Sequence, residues 1–151
     1  MPDAANTSPA ILSCNACGTL NRLDLQRVGE RAKCARCGEL LHPDVPMQLT
    51  DTNFDRVIGG TSVPVLVDFH ADWCGPCRIV APVVAEFARV RVGQVLVGKL
   101  DTDANPRIPA RFGIRGIPTL IAFRDGAELR RHVGTADARL VASLVEAPGR
   151  P

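Results

Sequence analysis

The six cysteines constrain this chain more than any other feature, because they fall into three pairs with two residues between the members of each pair. The pairs are Cys14/Cys17, Cys34/Cys37 and Cys74/Cys77. Cysteines at this spacing suit either a metal site or a redox-active dithiol. The first two pairs lie close together and the third lies apart, so we expect two sites with different chemistry.

The sequence predicts a cytoplasmic protein. It contains no run of about 18 apolar residues, so we expect no transmembrane helix. Residues 1–13 lack the basic and apolar regions of a secretory signal. The net charge of +2 is spread along the chain, which gives no case for a nucleic-acid or membrane partner. In a reducing compartment, cysteines are more often metal ligands or redox catalysts than structural disulfides.

Composition divides the chain into two segments, which we predict to be domains at 1–46 and 47–151. The boundary is placed where Pro43 and Pro46 stiffen the connection. The first segment is too small to be stabilised by its own hydrophobic core, so it needs an additional cross-link. With 46% hydrophobic residues in the whole chain, the second segment can build an ordinary packed core.

The second segment alternates strand and helix patterns, which predicts an α/β domain. Residues 63–69 form an almost continuous apolar run, typical of a strand buried on both faces. Residues 76–92 carry apolar side chains at helical spacing. The other predicted elements are a strand and helix within 49–58 with Thr50 or Asp51 as N-cap, a strand at 94–100, a helix at 106–111, strands at 118–123 and 129–133, and a helix at 136–146.

The third cysteine pair directly follows the predicted buried strand and opens a helix. Free N–H groups and the dipole at a helix N-terminus stabilise a thiolate, which lowers a cysteine pKa from about 8.5 toward 7 or below. We therefore expect Cys74 to be a nucleophile, with Cys77 one turn on and able to close a disulfide. Pro76 suits the first helical turn, and Gly75 leaves the approach to Cys74 open. A zinc half-site or a structural disulfide is the alternative, but Arg78 stands where a zinc knuckle usually has glycine.

The run from Trp73 to Cys77, Trp-Cys-Gly-Pro-Cys, resembles the active site of the thioredoxin family. The resemblance covers about residues 47–147 and implies a thioredoxin fold, a central mixed sheet flanked by helices, here with a small N-terminal zinc ribbon. Further positions that resemble the family's are the buried acid Asp68, the nearby lysine Lys99, the helix-kinking Pro82, the cis-proline segment 113–119 and the late glycine Gly134.

This resemblance implies a protein-disulfide reductase. Cys74 would attack a substrate disulfide to form a mixed disulfide, and Cys77 would resolve it. Asp68, a lone carboxylate in an apolar strand, should have a raised pKa and is expected to take the proton from Cys77; a satisfied strand-end acid is the alternative. Lys99 is expected to tune Asp68, unless it is merely a surface charge.

The resemblance also implies a substrate surface. Its expected members are Trp73, Gly75, Pro76, Ile117, Pro118 and Gly134. The Ile117–Pro118 bond should be cis and present a backbone edge to a substrate peptide. Trp73 is expected to be a lid and contact surface, with core packing as the alternative.

One position departs from the family, because His70 stands where an aromatic residue is common. It is expected to be either a packed neutral histidine or a group that shifts the pKa of Cys74 or the reduction potential. The Gly-Pro dipeptide between the cysteines resembles that of the reducing members of the family, whose reduction potential is about −270 mV. We therefore expect disulfide-containing proteins as substrates and thioredoxin reductase as partner, with electrons from NADPH.

The first two cysteine pairs form matched knuckles, each followed directly by glycine, at Gly18 and Gly38. The spacing between them fits a tetrahedral four-cysteine zinc site. A positive-φ glycine lets backbone N–H groups point at the sulfurs. Zinc would be structural, because Cys14, Cys17, Cys34 and Cys37 complete its shell. Two disulfides, free thiols or His42 as a rival ligand are the alternatives. A thioredoxin domain preceded by such a ribbon resembles a second type of bacterial thioredoxin, distinct from the single-domain form.

Two other functions compete with the reductase. One is a binding module that uses the dithiol as a switch, and the other is a redox sensor or redox-regulated chaperone triggered by zinc loss. Residues 1–46 carry five basic and five acidic side chains and no aromatic ones. This composition argues against a nucleic-acid surface.

Overall fold

The computed structural model describes residues 7–146. Their elements, in chain order, are β1 (Pro9–Ser13), β2 (Leu20–Asp24), a 3₁₀ helix (Leu25–Glu30), β3 (Met47–Leu49), α1 (Phe54–Gly60), β4 (Val65–His70), α2 (Gly75–Val90), β5 (Leu96–Asp101), α3 (Arg107–Arg111), β6 (Thr119–Arg124), β7 (Ala127–Val133) and α4 (Ala138–Leu144). Every strand and helix predicted from the sequence is present, with ends that differ by a few residues.

A five-stranded mixed sheet forms the centre of the larger segment, in the order β3-β5-β4-β6-β7. Strands β3, β5 and β4 are parallel, β6 runs antiparallel to β4, and β7 runs antiparallel to β6. Five of the six residues of β4 are buried, as expected of a central strand covered on both faces. The mixed sheet flanked by helices confirms the predicted fold class and places the end of β4 directly before the dithiol.

Helix α2 continues from that strand end and carries Cys77 in its first turn. Its apolar stripe buries Val80, Val84 and Phe87 against the sheet, which explains the helical periodicity of the sequence. Pro82 lies inside the helix. A kink at this residue stays a prediction.

The predicted N-cap of α1 is wrong in detail. The helix begins at Phe54 after Asn53, which makes no side-chain cap hydrogen bond. Thr50 instead closes the preceding turn, its Oγ1 accepting from the backbone N–H groups of Thr52 and Asn53 at 3.2 and 3.1 Å. The carboxylate of Asp51 accepts from two N–H groups at the start of α3, at 3.0 and 2.8 Å. Asp51 therefore caps a helix that lies more than 50 residues further along the chain.

The N-terminal ribbon does not rely on a core of its own. Ala10, Ile11 and Leu12 of β1 belong to the same hydrophobic cluster as Met47 and Val57 of the larger segment. Two hydrogen bonds add to this contact. The Ile11 N–H donates to Thr61 Oγ1 at 3.1 Å, and the Ser62 N–H donates to the Pro9 carbonyl of β1 at 2.8 Å. The sequence indicated that a metal stabilises the ribbon, but it did not indicate that β1 is buried against the larger segment. The boundary between 46 and 47 stays a prediction.

Among residues 7–146, no helix is long and apolar enough to cross a membrane.

Gly60 packs closely against Ile11 of the ribbon. A Cβ built on Gly60 would lie 2.6 Å from Cγ1 of Ile11, whereas one on Gly59 would meet nothing within 4 Å. We predict that Gly60→Ala lowers the free energy of unfolding by about 1–3 kcal/mol through overpacking. The matched control Gly59→Ala should leave stability unchanged or raise it by up to about 1 kcal/mol. Urea unfolding of both variants measures the difference, and equal stabilities would contradict the packing described for β1.

Candidate active site and metal centre

The Cys74–Cys77 pair lies at the junction of β4 and α2 and forms a disulfide, with Cα atoms 5.3 Å apart. Cys74 is the N-cap of α2, and its Sγ accepts a hydrogen bond from the Cys77 N–H at 3.2 Å. Both cysteines are buried, while Gly75 and Pro76 between them are exposed. The sulfur of Cys74 therefore occupies the position where free N–H groups and the helix dipole favour a negative charge.

A cis peptide bond joins Ile117 and Pro118, as expected. The Ile117 carbonyl oxygen lies 3.8 Å from Cys74 Sγ, so this backbone edge adjoins the disulfide. Gly134, at φ 104°, donates its N–H to the Pro118 carbonyl at 2.8 Å. The structure thus brings together three of the predicted substrate-surface residues beside Cys74.

Trp73 is 69% exposed, which excludes core packing for this side chain. Its Nε1 donates to Asp103 Oδ2 at 2.8 Å, and this bond orients the indole on the surface next to the dithiol. Sequence reasoning missed Asp103. The one signal available was its position just after β5, at the same edge of the sheet as the end of β4, where loops from parallel strands meet.

Asp68 lies on β4 behind the disulfide and is 4% exposed. Burial raises its pKa to about 7, against the opposing effect of the Lys99 charge. Its Oδ1 atom has no hydrogen-bond partner in the described chain. Lys99 is the register partner of Asp68 on β5, which places the predicted lysine beside the predicted acid. A satisfied strand-end acid does not fit this environment.

A cleft of about 170 Å³ connects these groups, with Asp68, His70, Cys77 and Lys99 among its lining residues. His70 is half-buried, and desolvation lowers its pKa, with Asp101 acting in the opposite sense. The histidine is thus in the same cleft as the buried acid and does not belong to the apolar core.

The four N-terminal cysteines converge as predicted, with all Sγ atoms within 4.8 Å of one another. The Cys14–Cys37 and Cys17–Cys34 sulfurs are 3.7 and 3.6 Å apart. Tetrahedral zinc with Zn–S bonds of about 2.3 Å requires sulfurs about 3.8 Å apart, so this donor set fits zinc. Four thiolates would fill the shell, and zinc held there would supply folding free energy.

The two knuckles share one backbone conformation. Gly18 and Gly38 both have φ 79°, which favours glycine as predicted. Their N–H groups donate to the carbonyls of Cys14 and Cys34, at 2.8 and 3.0 Å. This repetition explains why the sequence shows Gly directly after each second cysteine.

Asn21 contacts one of the metal-site cysteines. It was not predicted from the sequence, because no spacing rule singles it out. Its Nδ2 donates to Cys34 Sγ at 3.5 Å, and its Oδ1 accepts from the Ala35 N–H at 2.9 Å. Hydrogen bonds from the Cys37 backbone and from Asn21 lower the pKa of Cys34 to about 6. A lowered thiol pKa favours the thiolate that a metal requires.

Comparison with known proteins gives the family of each segment. The family model described as Thioredoxin matches residues 45–147, and the one described as Thioredoxin 2, N-terminal, a zinc ribbon, matches residues 13–39. The chain therefore belongs to the thioredoxin family and carries the N-terminal ribbon of the Thioredoxin 2 type.

Individual relatives agree. The chain is 38% identical to Thioredoxin C-3 of Corynebacterium nephridii over 124 residues, which cover 82% of this chain and 85% of that protein. It is 51% identical to the thioredoxin of Alicyclobacillus acidocaldarius over 58% of this chain and 83% of that protein. Among solved structures, the N21Q mutant thioredoxin from Halobacterium salinarum NRC-1 matches with a TM-score of 0.62 and 37% identity, over 71% of this chain and 96% of that one. The protein is a thiol–disulfide oxidoreductase, and these relatives do not favour the sensor or chaperone alternatives.

The metal site predicts one zinc per chain. Cys34→Ser should lower the bound zinc to well below one equivalent, because the shell loses a thiolate. The control Cys74→Ser should keep its zinc. Metal analysis of both purified variants checks this, and chelation should lower the Tm of the wild-type protein by several degrees. Equal zinc in both variants would contradict the four-cysteine site.

The raised pKa of Asp68 predicts a specific pH dependence of stability. The folded pKa of about 7 exceeds the unfolded value of about 3.9, so stability present at low pH is lost as the pH rises through 7. Asp68→Asn should therefore stabilise the oxidised protein more at pH 8 than at pH 4, by an amount on the order of 4 kcal/mol.

The exposed Asp125 supplies the control for this measurement. Asp125→Asn removes a carboxylate from the surface turn between β6 and β7 and should show no comparable pH-dependent gain. Urea unfolding at several pH values measures both variants. A gain for Asp68→Asn that is the same at pH 4 and pH 8 would contradict the burial of an acid with a raised pKa.

Proposed function

We propose that the chain reduces protein disulfides through Cys74 as nucleophile and Cys77 as resolving thiol. The observation that carries this assignment is the position of Cys74 Sγ at the N-terminus of α2, with the Cys77 N–H 3.2 Å away. That N–H group and the helix dipole stabilise a thiolate at Cys74 in the reduced protein. Cys77 lines the cleft that also contains Asp68, and it acts only after the mixed disulfide has formed.

The reaction takes place in two displacements. The Cys74 thiolate attacks one substrate sulfur, the substrate S–S bond breaks, and the released thiolate takes a proton. Asp68 then accepts the proton of the Cys77 thiol, and the new thiolate attacks Cys74 Sγ. The mixed disulfide breaks, and the second substrate sulfur leaves and is protonated. Two electrons pass from the dithiol to the substrate, and Cys74–Cys77 becomes the disulfide.

The proposed substrate surface surrounds the exposed edge of this site. Ile117 and Pro118 offer a backbone edge beside Cys74, with Gly134 held against it. Trp73, Gly75 and Pro76, which flank Cys74 in the chain, are exposed. An extended peptide carrying a disulfide fits such an edge by backbone hydrogen bonding. Lys99 acts on the reaction through the charge it presents to Asp68.

The direction of electron flow is part of the same proposal. The Gly75-Pro76 dipeptide is of the reducing type, and the relatives are thioredoxins. We therefore propose that thioredoxin reductase returns the disulfide to the dithiol with electrons from NADPH, and that the protein works in the cytoplasm. Zinc in the ribbon is proposed to be structural.

Trapping the intermediate tests the two cysteine roles. With a disulfide-bonded test protein, thioredoxin reductase and NADPH, Cys74→Ser should abolish turnover. Cys77→Ser should accumulate a mixed disulfide, because the resolving step is lost. Mass spectrometry with peptide mapping should place the substrate on Cys74, and the double variant should carry none. Adduct formation on a ribbon cysteine, or turnover by Cys74→Ser, would contradict the proposal.

A further inference from the structure

The cleft behind the disulfide holds more ionisable groups than the proposed reaction uses. Its ionisable lining residues are Asp68, His70, Asp72, Cys77, Arg78 and Lys99. In the proposed mechanism, Asp68, Cys77 and Lys99 have roles. His70 has no role in that mechanism, although imidazole is the side chain whose ordinary pKa lies closest to neutral pH.

His70 and Asp68 lie on the same face of β4, because they are two residues apart in a strand. A rise of about 3.3 Å per residue places their Cβ atoms roughly 6.6 Å apart. Their register partners on β5, Asp101 and Lys99, are likewise two residues apart. Two acids and two basic groups thus alternate across adjacent strands directly behind the dithiol.

Each of the two side chains also has a buried polar atom without a hydrogen-bond partner among the described residues. Within residues 7–146, the buried side-chain polar atoms without a hydrogen-bond partner are Asp68 Oδ1 and His70 Nε2. Leaving such atoms unpaired costs free energy, so buried polar groups usually have partners. A single proton held between the carboxyl and the imidazole would serve both atoms.

We propose that His70 is a positioning residue of the resolving step, whose imidazole shares one proton with the Asp68 carboxyl and so keeps Asp68 available as a carboxylate below neutral pH. This inference rests on the proposed role of Asp68 as the base for Cys77. In the resolving step the Cys77 thiol gives its proton to the Asp68 carboxylate. That proton passes to His70 and leaves through the open side of the cleft, while the Cys77 thiolate displaces the substrate sulfur from Cys74.

The surrounding charges favour such sharing. Burial raises the pKa of Asp68 to about 7 and lowers that of His70, so burial alone places the first proton that the pair binds on the carboxyl. The charge of Lys99 favours the carboxylate form of Asp68, and Asp101 and Asp72 favour the imidazolium form of His70. These three charge effects move the shared proton toward the imidazole, and the charge of Lys99 on His70 opposes them.

The remaining groups at the cleft are on α2. Arg78 is exposed, and its Nη2 donates to the Asp72 carbonyl at 2.9 Å, which holds it at the mouth of the cleft. Cys77 is in the disulfide in the oxidised protein and does not titrate there. The oxidised protein therefore isolates the Asp68–His70 pair from the thiols.

The test measures titration of both residues in the oxidised protein by NMR. Groups that interact by more than about 1 pKa unit titrate in shared macroscopic steps. We expect the Asp68 carboxyl carbon and the His70 ring each to show two inflections at common pH values. His70→Gln and His70→Phe should both reduce the Asp68 curve to one inflection. His42→Gln, which removes an exposed imidazole in the ribbon, is the matched control and should leave both inflections.

The rate of the resolving step gives the second readout. In His70→Gln and His70→Phe it should fall by about threefold or more at pH 6, where Asp68 without its partner is mostly protonated. At pH 8, where Asp68 is ionised in every variant, the change should be less than about 1.5-fold. A merely structural role would lower the rate similarly at both pH values, and it would separate Gln from Phe.

Two results would overturn the inference. A single Asp68 inflection at the same pH in the wild-type protein and in both His70 variants would exclude a shared proton, and Asp68→Asn would still slow the resolving step if the proposed base were right. An unchanged resolving step in Asp68→Asn would instead contradict the proposed function of Asp68, and the role of His70 with it. The two failures are therefore distinguishable.

Discussion

The hydrogen bond from the Cys77 N–H to Cys74 Sγ at the start of α2 is the interaction on which the chemistry of this protein depends. It exists because β4, with five of its six residues buried, leads directly into a helix N-terminus, where N–H groups lack intrahelical partners. The sheet order, with β4 in the middle, fixes that junction from both sides. Ile117 and Asp103 then reach the site from neighbouring connections.

The ribbon shows a second constraint, that of size. A segment of about 45 residues cannot bury enough apolar surface alone. The four convergent cysteines answer part of this problem, and the shared cluster with Met47 and Val57 answers the rest. The ribbon therefore stands in contact with the sheet that carries the dithiol, and its stability and that of the larger segment are linked through β1 and α1.

The sequence predicts well those features that local chemistry determines. The helix and strand order, the knuckle glycines Gly18 and Gly38, and the raised pKa of Asp68 all follow from periodicity, backbone preference or burial. Features that depend on contacts between distant residues were not predictable: Asp51 capping α3, Asn21 supporting Cys34, and Asp103 orienting Trp73. Nothing in the spacing of such residues indicates which remote element they will meet, because tertiary packing selects the partner.

The most direct measurement is the thiol pKa of Cys74 in the reduced, zinc-loaded Cys77→Ser protein, followed by the ultraviolet absorbance of the thiolate. The Cys74→Ser/Cys77→Ser double variant supplies the background from the ribbon cysteines. A thiolate at a helix N-terminus should titrate at least about 1 unit below the ordinary value of about 8.5. A midpoint at about 8.5 or above would contradict the claim that the N-terminus of α2 activates Cys74.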